Sequence, residues 1–139
     1  MLKLLRYVPL LGLLWLVYNA FVLAGEFPAG LSRTLLQVTL PSGTAWTVTW
    51  GDAFVTVAVC MLYVEIFKAT RTSVGSVIDH VMSMVAFVAF LVQFLIHPSG
   101  ANSTFFVLML LSLVDVVAGF TVTIVAARRD FGFGNPDVG

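Results

Sequence analysis

One acidic residue, Asp115, stands in the middle of the longest apolar run of the chain, which extends from Phe105 to Ala127. A carboxylate at the depth of a lipid bilayer costs about 2.5–3.5 kcal/mol to insert, so such residues usually face a bundle interior or a cavity. Two roles are open for this side chain. It could carry protons or cations in a small transporter, or, in its neutral form, it could join helices through hydrogen bonds.

Small and polar residues share one face of the same predicted helix. Ser112, Gly119 and Thr123 follow helical spacing from Asp115. Such a face lets two helix backbones approach closely and lets side chains hydrogen-bond to the next helix. No Lys or Arg lies at a comparable depth in the sequence, so Asp115 is predicted to have no counter-ion within the chain.

A second set of ionisable residues is predicted near the ends of two other apolar runs. Glu65, Lys68 and Arg71 follow one another at intervals of three and could pair along a helix. Asp79 and His80 open the next run at a similar depth. This layer is either a cytoplasmic vestibule with a titratable histidine or a set of ion pairs at the interface, whose long side chains reach the headgroups.

The remaining polar groups give no catalytic pattern. Asn19 and Gln93 are interpreted as hydrogen-bond partners between helices rather than as a substrate site. His80 and His97 are separated by about 25 Å on one helix and cannot ligate a single haem within one chain. The lone Cys60 excludes an internal disulfide and a cysteine-built zinc site. No cofactor and no metal are therefore expected.

The composition indicates what kind of molecule must position these side chains. Of 139 residues, 60% are hydrophobic and 10% are charged, and the seven basic residues balance the seven acidic ones. The mean hydropathy is +1.03. Soluble domains have about a quarter charged residues, and zero net charge gives no attraction to nucleic acid. The sequence predicts an integral membrane protein and argues against a soluble enzyme, a nucleic-acid binder or a disordered chain.

Four apolar stretches approach the length of about 20 residues that a helix needs to cross the hydrocarbon core. The first is longer than the apolar part of a signal peptide, so a retained helix is expected. Short connections between the later stretches predict antiparallel neighbours in an all-α bundle. We predict one membrane domain over residues 1–130, with helices at about 5–25, 52–71, 77–97 and 104–127, an outer loop at 26–51 and a flexible tail at 131–139.

The basic residues predict the orientation of this bundle. Only Arg33 falls on the side opposite the two termini. The positive-inside rule then places both termini in the cytoplasm, with the chain crossing the bacterial inner (plasma) membrane several times. The basic residues on the cytoplasmic side are Lys3, Arg6, Lys68, Arg71, Arg128 and Arg129.

The outer loop carries the pattern of a β-hairpin. Residues 36–40 and 46–50 alternate apolar with polar on either side of Pro41-Ser42-Gly43-Thr44, which suits a tight turn. The alternative is a short interfacial helix over 31–40. An isolated hairpin is marginal in water, so its apolar face is expected to lie on the membrane surface or on the helix ends. The residues of that face are Val38, Leu40, Trp46, Val48 and Trp50.

Two helix starts are also predicted from local signals. Ser76 and Asp79 have the spacing of a capping box for the third helix. Ser103 is the predicted N-cap of the fourth.

Three segments of the chain resemble small four-helix inner-membrane proteins of proteobacteria, for which no activity is known. These segments are Trp46 to Gly51, Glu65 to Arg71 and Ser112 to Val122. The resemblance implies a multi-pass membrane location and no particular chemistry. Four spans in a short chain also resemble small multidrug resistance transporters, but those carry their working glutamate in the first helix, and this first helix has no acid.

The expected function is that of a non-enzymatic membrane protein, an accessory or scaffolding subunit of a larger membrane complex. The alternative is a small oligomeric transporter or channel in which Asp115 couples to protons or cations. The expected partners are the lipid bilayer and other membrane subunits or further copies of the chain, without nucleic acid.

Overall fold

The apolar runs form four helices in the computed structural model, which describes residues 8–70 and 74–132. The helices are α1 (Leu10–Leu23), α2 (Trp50–Ala69), α3 (Val74–Ile96) and α4 (Ser103–Gly132), and the strands are β1 (Thr34–Thr39) and β2 (Ala45–Thr49). The predictions of four helices and of a hairpin between the first two are therefore confirmed. Short 3-10 turns at Ala29–Ser32 and Pro98–Gly100 complete the connections.

Three helices in the described part of the chain are long and apolar enough to cross a membrane. These segments are Trp50–Ala69, Ile78–Ile96 and Ser103–Val125. The fourth, α1, is apolar but has 14 residues, which corresponds to about 21 Å. These lengths are compatible with a membrane protein.

The first helix is shorter than the predicted span of residues 5–25. Pro9 adopts an extended conformation, with φ −66° and ψ 126°, and it precedes the first helical residue, Leu10. The helix ends at Leu23, and Gly25 follows with a φ of 75° that is incompatible with continuing a right-handed helix. Residues 5–7 of the predicted span lie outside the described residues.

The second helix begins two residues earlier than predicted because the end of the hairpin caps it. The Thr49 hydroxyl accepts from the Asp52 backbone N–H at 3.3 Å, and the Asp52 carboxylate accepts from the Thr49 backbone N–H at 2.8 Å. This reciprocal arrangement is a capping box. Trp50 is consequently the first residue of α2 and not the last residue of a strand.

Two predicted helix starts are wrong. The N-cap of α4 is Asn102, whose side-chain oxygen accepts from the Phe105 N–H at 2.9 Å, and Ser103 is already helical. The third helix is already formed at Val74, so Ser76 lies inside it and cannot cap it. At the other end of the chain α4 continues to Gly132, beyond the predicted end at 127, and the tail at 133–139 lies outside the described residues.

The hairpin pairs β1 with β2 in antiparallel register. Leu36 lies opposite Val48, and Val38 lies opposite Trp46, so these four apolar residues share one face. Gly43 closes the turn with a φ of 80°, a conformation that favours glycine. The ladder is irregular between Thr34 and Leu36. The helical alternative for residues 31–40 is therefore wrong over the strand.

Aromatic rings fill the end of the bundle nearest the hairpin. The Tyr18 ring lies 4.9 Å from that of Phe105, and the Phe27 ring lies 5.2 Å from that of Phe54. Tyr18, Phe90 and Phe105 are fully buried. Helix α4 packs against both α2 and α3, and α1 packs against the same two helices. The bundle thus has an apolar aromatic core at one end and, as described next, charged groups toward the other.

Candidate functional site

Most of the buried polar side chains of the described bundle belong to two separate clusters. The charged cluster comprises Glu65, Lys68, Asp79, Ser83 and Asp115. The polar cluster comprises Tyr18, Asn19, Gln93, Ser99 and Asn102. Each cluster draws residues from at least three elements of the bundle, so each one joins helices that are distant in the sequence.

Lys68 is the bridge of the charged cluster. Its ammonium lies 2.9 Å from the Glu65 carboxylate on the same helix and 3.1 Å from the Asp79 carboxylate on α3. It also donates to the Val8 carbonyl at 3.4 Å. The predicted pairing of Glu65 with Lys68 along the helix is present, whereas Arg71 lies outside the described residues. Lys68 therefore connects α2 to α3 and to the residue that leads into α1.

Glu65 is the most deeply buried member of the cluster, with 2% of its surface exposed. Besides Lys68, it accepts a hydrogen bond from the Leu10 backbone N–H. That N–H belongs to the first turn of α1 and has no partner within its own helix. A buried charge is tolerated only when it is paired and hydrogen-bonded, and Glu65 meets both conditions.

Asp115 belongs to this cluster and is not isolated in the middle of the bundle. It is 7% exposed, forms a hydrogen bond with the Ser83 side chain, and lies close enough to Glu65, Asp79 and Lys68 to interact with their charges. Lys68 forms its ion pairs with Glu65 and Asp79, and none is seen between Lys68 and Asp115 in the described part of the chain, so the absence of a counter-ion for Asp115 stays a prediction. The sequence places Lys68 near the end of its apolar run, but the long lysine side chain reaches toward the bundle interior.

His80 forms a hydrogen bond with the polar face of α4. Its Nε2 atom lies 2.7 Å from the Thr123 hydroxyl oxygen. Since the Thr123 hydroxyl donates to the Gly119 carbonyl at 2.9 Å, its oxygen is the acceptor for the histidine N–H. Gly119 also allows the close approach of the two helices, because a Cβ atom there would lie 2.6 Å from His80 Nδ1. The predicted role of Gly119 on a close-packed face agrees with this geometry.

Ser112 lies on the same face of α4 but takes no part in the charged cluster. It is 1% exposed, and its hydroxyl donates to the Met109 carbonyl of its own helix at 2.8 Å. Its small side chain allows close packing, and its hydrogen bond is local.

The polar cluster joins α1, α3 and the start of α4. Asn19 and Gln93 exchange two hydrogen bonds, at 2.9 and 3.1 Å. The Gln93 amide also donates to the Ser99 hydroxyl at 3.0 Å. The interpretation of Asn19 and Gln93 as partners between helices agrees with these contacts. A cavity of about 380 Å³ adjoins this pair and is lined by Trp15, Asn19, Ala89, Val92, Gln93, Ile96 and His97.

Three residues of the polar cluster were missed in the sequence. The Tyr18 hydroxyl donates to the Ser99 carbonyl at 2.7 Å and accepts from the Asn102 amide at 2.9 Å. Asn102 donates in addition to the Ser99 carbonyl at 2.9 Å. The sequence offered two signals for these residues. Tyr18 stands next to Asn19, and Asn102 stands directly before an apolar run. Their partnership depends on the packing of α1 against the turn before α4.

The described residues contain no group of three or more His, Cys, Asp or Glu side chains that could hold a metal ion. Comparisons of the chain with family models, with curated proteins and with solved structures found no match. The resemblance to small proteobacterial inner-membrane proteins therefore stays a prediction.

Proposed function

We propose that this chain is a non-enzymatic integral membrane protein that serves as an accessory or scaffolding subunit of a larger assembly in the bacterial inner membrane. In this proposal it crosses the membrane four times, with both termini in the cytoplasm and the hairpin outside. Three helices of sufficient length support the membrane location. The surfaces that the helices turn outward are rich in large apolar side chains, such as Leu16, Tyr63, Val85 and Val117, as a lipid or a neighbouring helix requires.

The contacts of α1 support a fourth crossing. At one end the Leu10 N–H donates to Glu65, and at the other end the Phe21 ring lies 6.1 Å from the Trp50 ring. Helix α1 therefore runs antiparallel beside α2 over most of the length of that helix. An apolar helix that accompanies a spanning neighbour over this distance belongs in the same hydrocarbon layer.

The observation that carries the structural role is the mutual pairing of the intramembrane polar groups. Lys68 is bound by Glu65 and Asp79, and Asn19 is bound by Gln93. Side chains that hydrogen-bond across helices stabilise a membrane bundle. Polar groups that bind one another in this way hold the helices together. A scaffolding subunit requires such a stable bundle.

The size of the particle in mild detergent tests this proposal. Native mass spectrometry of the chain, extracted from its own membranes through an affinity tag that is then removed by a protease, should give a mass above 15.1 kDa, because an accessory subunit remains attached to its assembly. The same mass should be found for Asp115→Asn, since an amide can still hydrogen-bond with Ser83. A multiple of 15.1 kDa would identify further copies of this chain as the partner. A species of 15.1 kDa alone, in several mild detergents, would contradict the proposal.

A second candidate function is favoured by the composition of the charged cluster. Glu65, Asp79 and Asp115 come from three different helices and converge near a single ammonium, that of Lys68. A cluster with more carboxylates than cations can accept a proton and still keep its hydrogen bonds. This arrangement suits a proton-coupled transporter, which would be oligomeric because four helices enclose little volume.

Proton flux into liposomes distinguishes the second candidate from the first. The protein would be reconstituted in vesicles containing a pH-sensitive dye, with a potassium diffusion potential as the driving force. If Asp115 is the coupling group, Asp115→Asn should abolish the flux, whereas Asp52→Asn, at the exposed start of α2, should retain it. Equal flux from both variants would remove Asp115 from this role.

A further inference from the structure

The hairpin presents an apolar face that the rest of the described chain leaves open. All six residues of β1 are exposed. Trp46 and Leu36 are each 55% exposed, and Val38 is 39% exposed. The sequence predicts that this face lies either on the membrane surface or on the helix ends. Because the face is exposed, it does not lie on the helix ends. A contiguous exposed apolar surface marks a site of contact with another molecule or with a membrane.

The side chains on both faces of the hairpin are uncharged. Residues 34–49 contain no Asp, Glu, Lys, Arg or His. Opposite the apolar face, Gln37 pairs with Thr47 and Thr39 pairs with Ala45, so that face carries hydroxyl and amide groups. The nearest ionised side chains are engaged locally, Arg33 with Glu26 at 2.6 Å and Asp52 with Thr49. A docking surface for a soluble protein has a polar and partly charged rim, and this element lacks the charges.

The position of the hairpin is fixed relative to a membrane-compatible helix. Strand β2 passes into α2 without a linker, through the capping box of Thr49 and Asp52. Directly before the other strand, the Arg33 carbonyl accepts from the Trp50 N–H at 3.1 Å. The hairpin therefore begins at the level where α2 begins, which is the boundary between hydrocarbon and headgroups if α2 spans the bilayer. Trp side chains are enriched at this boundary.

We propose that the hairpin lies in the headgroup region of the outer leaflet, with Leu36, Val38, Trp46 and Val48 turned toward the acyl chains and the threonine face toward water. The occupant of the open face is phospholipid. This inference rests on the proposed membrane insertion. Because residues 34–49 are uncharged, the contact should be equally deep in neutral and anionic membranes and should not weaken in high salt.

Spin labels on the two faces of the hairpin test the proposal. Each label would be attached to a single cysteine in a Cys60→Ala background, at Val38→Cys and Trp46→Cys on the apolar face and at Gln37→Cys and Thr47→Cys on the opposite face. The protein would be reconstituted in phosphatidylcholine vesicles. The first pair should be severalfold more accessible to oxygen, relative to a water-soluble nickel complex, than the second pair. The ratios should not change in vesicles that contain phosphatidylglycerol.

The native Cys60 provides the control for insertion. It is exposed near the middle of α2, so a label there should be accessible to oxygen and not to nickel. If Cys60 fails this test, the membrane insertion itself is wrong. If Cys60 passes but all four hairpin labels contact the nickel complex, the hairpin stands in water and the inference is overturned. Labels at Val38 and Trp46 that are shielded from both reagents would mean that protein covers the face, which also overturns it. Unchanged far-ultraviolet circular dichroism would establish that each variant is folded.

Discussion

At the scale of single residues, the charged cluster depends on Lys68. Its side chain is 22% exposed, and the two carboxylates that it contacts are almost fully buried. Removing one partner of a buried ion pair leaves the other charge without compensation, which costs more than the pair itself contributes. The charged cluster is therefore sensitive to the loss of this single cation.

Replacement of Lys68 by methionine, which keeps much of the side-chain volume, should destabilise the bundle by about 3 kcal/mol. The free energy of unfolding would be measured by SDS titration in mixed micelles. The matched control is Arg33→Met, which breaks an ion pair with Glu26 whose side chains are 66% and 47% exposed. Exposed pairs contribute about 0–1 kcal/mol, so the control should change little. Equal effects of the two variants would contradict the buried pairing of Lys68.

Gly119 gives a second test at this scale. In Gly119→Ala the new Cβ would lie 2.6 Å from His80 Nδ1 and 2.7 Å from Cε1, so the ring must move and its bond to Thr123 is lost. Overpacking of this kind costs about 1–3 kcal/mol. In a His80→Ala background the same substitution should cost much less, because the ring is gone. A double-mutant cycle of thermal unfolding measures the difference, and additive effects would contradict the close approach of the two helices.

At the scale of elements, patterns within a short stretch of sequence predicted most of the secondary structure. The alternation on either side of Pro41 and Gly43 indicated the hairpin, because period-two alternation has a direct meaning for a strand. The helix starts were less accurate. Ser103 and Asn102 are both common N-cap residues, and only the backbone geometry determines which of them precedes the first helical turn.

The two candidate caps of α4 can be compared directly. Asn102→Ala should destabilise the protein by about 1–2 kcal/mol, since it removes the cap of the Phe105 N–H and the amide that binds Tyr18. Ser103→Ala, in which the replaced residue is exposed, should have almost no effect. Thermal unfolding followed by circular dichroism would measure both. A larger loss for Ser103→Ala would contradict the position of the cap.

The composition of the candidate site could be predicted only in part from the sequence. The residue types of Asp115, Asp79 and Glu65 indicated that they were important, because ionisable groups in apolar runs are costly. Their convergence was not evident, since it depends on which helix faces neighbour one another and at what relative depth. Hydrophobic periodicity is weak in a membrane helix that is apolar on all sides. The sequence therefore contains little information about how each helix is rotated about its own axis.

At the scale of the whole molecule, the bundle buries polar groups beside its aromatic core and exposes large apolar side chains on its outer surface. Asp115, Ser112 and Gln93 are buried, whereas Leu95, Ile96 and Phe67 are among the most exposed side chains of their helices. In water this distribution would expose a large apolar surface and promote aggregation. In a lipid bilayer the exposed apolar side chains contact acyl chains, and the buried polar side chains are shielded from them. This distribution is the reason for proposing four membrane crossings.

The sidedness of three positions shows whether the chain crosses the membrane four times with both termini in the cytoplasm. Single cysteines in the Cys60→Ala background, at Leu2, Ser42 and Arg128, would be labelled with a membrane-impermeant maleimide in spheroplasts before and after lysis. Ser42→Cys, in the hairpin turn, should react in intact spheroplasts, and Leu2→Cys and Arg128→Cys should react only after lysis. Reaction of Leu2→Cys from the outside, together with Ser42→Cys, would show that α1 does not cross the membrane and would contradict the four crossings.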